Sequence, residues 1–111
     1  MRLLKDLVET TSYRDDVRSS ALDVLGELDV PGSHVAEYVK RFLGDNAAEV
    51  RVYALFVLGK SGNIHHIEHI SRLLSDDAVV ESGRLVSEEA KWAIAHIIER
   101  RLPSSHSQGV R

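Results

Sequence analysis

A chain of 111 residues, 43% hydrophobic and 28% charged, suffices for one modest core and leaves no length for a second domain. Seventeen acidic against fourteen basic side chains give a formal charge of -3, so no excess of cations is available to neutralise a nucleic-acid backbone, and DNA or RNA is not expected as a partner. The absence of cysteine excludes disulfides, thiol nucleophiles and thiolate zinc sites, while the charged start MRLLKDLVET and the lack of any long apolar run predict a cytoplasmic protein that does not engage a membrane.

Apolar residues recur three and four apart along most of the chain, which is the spacing of an amphipathic helix. Leu3, Leu4, Leu7 and Val8 predict a first helix over 3–10, followed by a second over 13–28. Pro31-Gly32 before Ser33 supplies a stop and a new N-cap, after which Val35, Tyr38, Val39, Phe42 and Leu43 predict a helix over 33–43. A fourth is expected over 47–60, ended by Ser61-Gly62-Asn63, a fifth over 64–74, and a sixth over 87–102 beyond the interruption at Gly83. Residues 103–111 read as a mobile tail. No segment alternates with period two for long enough to form a strand, so the expected class is all-α.

Laid over itself, the chain shows a period. Val17, Arg18, Ala21, Leu22, Leu25 and Gly26 recur 33 residues later as Val50, Arg51, Ala54, Leu55, Leu58 and Gly59. A degraded third copy runs from Ala90-Lys91 through Ile94, Ala95 and Ile98, 40 residues after the second because a longer loop precedes it. Each copy follows a shorter helix ending in Leu7-Val8, Phe42-Leu43 or Leu73-Leu74. The predicted unit is therefore a helical hairpin repeated three times, about 1–28, 33–60 and 63–102, in a single domain over 1–102.

The signature Asp16-Val17-Arg18-x-x-Ala21-Leu22-x-x-Leu25-Gly26, with its second copy from Glu49 to Gly59, resembles the HEAT repeat in the short form shared with bilin-lyase-like proteins. The resemblance covers the chain to about Leu102. It implies a short right-handed α-solenoid that binds another macromolecule along the face lined by the second helix of each pair, and it implies binding rather than catalysis. The third copy departs from the pattern at Ala90 and Glu99, and the loop 75–88 is longer than its counterpart 44–48; a capping repeat accounts for the first departure.

Advancing about 100° per residue places Val50, Ala54 and Val57 on the core face, with Glu49, Val52 and Phe56 nearly opposite. The equivalent residues are Asp16, Ser19 and Asp23 in the first hairpin and Glu89, Trp92 and His96 in the third. Side by side these nine form a stripe running from acidic to aromatic. One reading covers Val52 and Phe56 with neighbouring helices; the other makes Val52, Phe56 and Trp92 anchors for a protein partner, with Asp16, Asp23, Glu49 and Glu89 as a rim suited to a basic patch.

Other chemistry is sparse. His65 and His69 share a helical face but lack further ligands, so no metal or other cofactor is expected, and the repeated His-Glu pairs of HEAT-like hydroxylases are missing. The loop from Asp76 to Arg84 reads as a flap whose Val79, Val80, Leu85 and Val86 shield the last hairpin. A non-enzymatic protein-binding module is the function these features predict. An immunity-type inhibitor of a basic toxin is one form of it, and an accessory bilin or cofactor lyase-like protein is the rival.

Overall fold

The computed structural model describes residues 2–28 and 34–101; the expected tail over 103–111, and the expected break and cap at Pro31, Gly32 and Ser33, lie outside the described residues. The fold is all-helical, with six helical segments: α1 (Arg2–Glu9), α2 (Asp15–Glu27), α3 (Val35–Val39), α4 (Ala48–Ser61), α5 (Ile67–Ser71) and α6 (Val86–Arg101). Among the described residues there is no strand, only an isolated antiparallel bridge between Val79 and Leu85.

The long helices lie close to where the apolar spacing puts them, and the short ones are shorter. Instead of running on to residue 43, α3 gives way to a 3-10 turn over Lys40–Gly44, which buries both Phe42 and Leu43. A 3-10 turn over Ile64–His66 likewise precedes α5, and bonds from Leu73 N–H to Ile70 O and Leu74 N–H to Ser71 O tighten its end. Asn63 starts the α5 segment by accepting from the His65 N–H, and its own N–H donates to His66 Nδ1 at 3.0 Å. His66 is consequently a buried structural residue whose Nε2 carries the hydrogen donated to Glu37 at 3.1 Å.

Packing centres on α4, which touches α2, α3 and α6; α1 lies on α2 and α5 on α6. Being walled on several sides, α4 buries Val50, Val52, Ala54, Leu55, Val57 and Leu58. The matched glycines mark where one long helix meets the next. A methyl on Gly26 would stand 2.9 Å from Val57 Cγ2 of α4, and one on Gly59 would run into the Trp92 indole of α6.

That geometry corrects two members of the predicted surface stripe. Val52 is 0% exposed and Ser19 2%, so neither lies on a surface open to a partner. Each precedes a seating glycine by seven residues, Ser19 before Gly26 and Val52 before Gly59, and so shares its helical face. The flank read as opposite the core is the flank against which the next long helix packs. On α6 the corresponding residue is Trp92, whose ring turns back onto α4.

A second tie between successive helices uses charge. Arg18, buried in α2, donates through Nε to Val8 O at 2.7 Å and through Nη2 and Nη1 to the Asp45 carboxylate at 2.6 and 3.1 Å. Its counterpart Arg51 donates through Nη1 to Asp45 O and through Nε to Asp76 Oδ2, both at 2.8 Å. Asp45 and Asp76 each accept from an N–H two residues on, Ala47 and Ala78. The result is a ladder Arg18–Asp45–Arg51–Asp76 that caps helix ends and joins the connections between them.

Partial burial works to raise the Asp45 pKa, but the bonds from Arg18 and the Ala47 N–H overcome it and hold the carboxyl below its ordinary value. A depressed carboxylate adds stability above the unfolded-state pKa and loses it as pH falls through the folded one. Unfolding free energy is therefore expected to drop on acidification below about pH 4, and more steeply in the wild type than in Asp45→Asn. Urea titrations at stepped pH check this; parallel slopes for the two proteins would remove Asp45 as a contributor.

Candidate functional site

The surface left by this packing carries two features, one aromatic and one acidic. Phe56 of α4 and Trp92 of α6 stack with ring centroids 5.4 Å apart and 18° between planes, and the His96 ring lies 4.3 Å from the indole at 40°. All three side chains are half-buried. The Lys60 ammonium sits 4.7 Å from the Phe56 centroid, completing a row of rings with a cation at one side. Because the Trp92 O can only accept, His96 Nδ1 donates to it at 3.3 Å, which leaves Nε2 outward as an acceptor in the neutral ring.

The helical register explains why these residues meet. Trp92 and His96 are four apart on α6, and Phe56 and Lys60 are four apart on α4, so each pair occupies one helical face. The missing Cβ at Gly59 lets the indole drop onto the α4 backbone, and Phe56 stacks on it. Rings held this way are fixed before any partner arrives, which lowers the entropy lost on binding.

The acidic feature is a cleft of about 420 Å³ between the starts of α2 and α4 and the loop after α5, lined by Arg14, Asp15, Asp16, Glu49, Val79, Val80 and others. Glu81 adds a further carboxylate to the wall. Arg14 grips Asp16 with two bonds of 2.9 and 3.1 Å, and this contact outweighs the opposing desolvation and lowers the Asp16 pKa. Asp15, Glu49 and Glu81 form no ion pair among the described residues, so the cleft keeps excess negative charge. Carboxylates in the first turn of α2 and α4 also complement the helix dipoles, which is reason enough for part of the cluster.

The remaining stripe residues are scattered around these features. Asp23 is half-exposed on α2, and Glu89 is mostly covered and lies 3.4 Å from Arg84. The structure thus brings together Phe56, Trp92 and His96, and separately Asp16 and Glu49, and withdraws Ser19 and Val52. The loop tucks Val80 and Val86 into the core and leaves Val79 outside at the rim of the cleft.

Sequence reasoning missed Glu81 and Arg14 as cleft residues and missed the ladder aspartates. The recurrence of Asp45-Asn46-Ala47 as Asp76-Asp77-Ala78 was a signal for the latter, since an Asp two residues before an N–H it caps is a recognised turn. Of the clustered histidines, His65 is exposed and His66 faces inward, and among the described residues no three His, Asp or Glu side chains are grouped to hold a metal ion. No helix of the described residues is long and apolar enough to cross a membrane. No known protein family, curated protein or solved structure matches the chain.

Proposed function

We propose that the chain is a three-hairpin, right-handed HEAT-like α-solenoid acting in the cytoplasm as a non-enzymatic protein-binding module. Its partner surface consists of the Phe56–Trp92–His96 row, the Glu49 cleft and Asp23. The observation that carries this reading is the half-exposed aromatic stack shared by α4 and α6. Aromatic groups that are partly open commonly concentrate binding energy, and carboxylates on the same molecule attract a partner with a basic patch. The recurrent glycine seats and the Arg–Asp ladder support the stacking of hairpins, because Gly26 and Gly59, and Arg18 and Arg51, recur 33 residues apart, and Asp45 and Asp76 recur 31 apart.

Affinity capture with the full chain tests it, using Phe56→Ala and Glu49→Lys as surface variants and His65→Ala as a control. Each surface variant is expected to weaken retention of a stoichiometric protein partner by roughly 1–2 kcal/mol or more, about tenfold in affinity, while remaining folded. A partner held equally by all of them would refute this surface. A small apolar or coloured ligand recovered in place of protein would refute the partner class.

A further inference from the structure

The loop between α5 and α6 folds back on itself as a short hairpin. Val80 N–H donates to Arg84 O at 2.9 Å and Val86 N–H to Ala78 O at 3.0 Å, on either side of the antiparallel bridge between Val79 and Leu85. Gly83 N–H closes the turn onto Val80 O at 2.8 Å, and Gly83 takes the left-handed conformation, φ 91°, that such a three-residue connection requires. Because these bonds flank the Val79–Leu85 pair, the N–H and C=O of both residues point away from the hairpin.

The two outward edges differ. Leu85 O accepts from the Glu88 and Glu89 N–H groups, both at 3.1 Å, so the first turn of α6 takes up that side. On the other side, neither the N–H nor the C=O of Val79 has a hydrogen-bond partner among the described residues, and the Val79 side chain is 59% exposed. A donor and an acceptor left outward on one strand residue are a template for one more strand. Val79, Val80 and Glu81 form one wall of the 420 Å³ cleft that faces the starts of α2 and α4, so this side of the hairpin borders open space.

Backbone geometry and charge select what pairs there. A helical segment has spent its N–H and C=O groups internally and cannot use the edge, whereas an extended one can. In an antiparallel pair the residue opposite Val79 lays its side chain beside that of Val79, and the residues before and after it point to the face of Val80. Val80 is 7% exposed, so that face is the body of the protein. The cleft sets Asp15, Asp16, Glu49 and Glu81 against the single guanidinium of Arg14, which Asp16 already engages, and this excess of carboxylates favours cations and repels an acidic segment. We infer that the cleft takes an extended segment of a protein partner, paired antiparallel with Val79 through two backbone hydrogen bonds, with an apolar residue opposite Val79 and a lysine or arginine on each side of it. The inference deepens the reading of the Glu49 cleft as part of a partner surface and rests on it.

A nitrogen-15 NMR titration of the full chain with the peptide acetyl-Ser-Lys-Val-Lys-Ser-amide, up to about 5 mM, tests it. Saturating shifts centred on the Val79 amide are expected, with a Kd of about 1 mM or lower and slowed solvent exchange of the Val79 N–H. Methylating the valine nitrogen of the peptide removes one backbone donor and keeps every charge; it is expected to weaken binding at least about fivefold. Glu81→Lys, at an exposed turn position, is expected to weaken it by a similar factor without loss of helical circular dichroism, and replacing both peptide lysines by glutamate to abolish it. Absence of shifts, equal affinity for the methylated or the acidic peptide, or shifts centred on Trp92 instead of Val79 would each overturn the inference. Phe56→Ala leaves the peptide affinity unchanged, so failure of strand pairing here and failure of the aromatic surface in the capture experiment are separate results.

Discussion

Arg18→Ala is expected to lower the unfolding free energy by about 3–5 kcal/mol, the largest loss for any charged residue among the described residues. The guanidinium is buried, satisfies the Val8 carbonyl and pairs with a carboxylate that is itself mostly covered. Removing it leaves the Val8 carbonyl without its side-chain donor and the largely covered Asp45 carboxylate with the Ala47 N–H alone, and uncompensated polar groups cost more than the intact pair contributes. Urea denaturation of Arg18→Ala, Asp45→Ala and the double variant checks the claim. The double variant should be less destabilised than the sum of the singles, since the second removal deletes an already orphaned group. A loss under about 1 kcal/mol for Arg18→Ala would show that the pair is solvated in solution.

The second large effect concerns the glycine seats. Gly26→Val should destabilise by about 3 kcal/mol and Gly59→Val by less, although both put the same side chain at equivalent places. The difference lies in what gives way. Against Gly26 stands Val57, fixed in the core, whereas against Gly59 stands the half-exposed Trp92, which can swing outward. Trp92 is the sole tryptophan, so its displacement has its own readout: emission from Gly59→Val should shift to the red while Gly26→Val leaves it near the wild-type position. Equal thermal losses with unshifted emission in both would contradict this account of the seat.

The helical class and the positions of the long helices were open to the sequence because an apolar residue every three or four positions has few other solutions. For α2, α4 and α6 the ends fall within about two residues of those the caps and breakers indicate. The short helices were less accessible. Whether Phe42 and Leu43 enter the core by continued α-winding or by a 3-10 turn depends on contacts with α4, which local spacing does not encode. The stripe failed in part for a related reason. A helical wheel divides residues between core and outside, but α4 has neighbours on several sides, so Val52 could be outside the hairpin core and still be fully covered. Phe56, Trp92 and His96 came together because four-residue spacing places each pair on a helix, and the glycine that joins the pairs was visible in the repeat. The recurring Asp-x-Ala turns were visible, but the carboxylate partners escaped notice because Arg18 and Arg51 stand 27 and 25 positions before Asp45 and Asp76, a pairing that helical spacing does not encode.

The ladder also bears on how the molecule comes apart. Stacked helical units that touch only by apolar surfaces can fray one at a time from their ends, since each boundary is a separate, modest free energy. Here Asp45 receives Arg18 on its carboxylate and Arg51 on its backbone carbonyl, and Arg51 reaches on to Asp76. Opening the first boundary strips a donor from the residue that also anchors the second. Each rung thereby raises the cost of partial opening relative to complete unfolding, which favours unfolding of the linked helices as one cooperative unit.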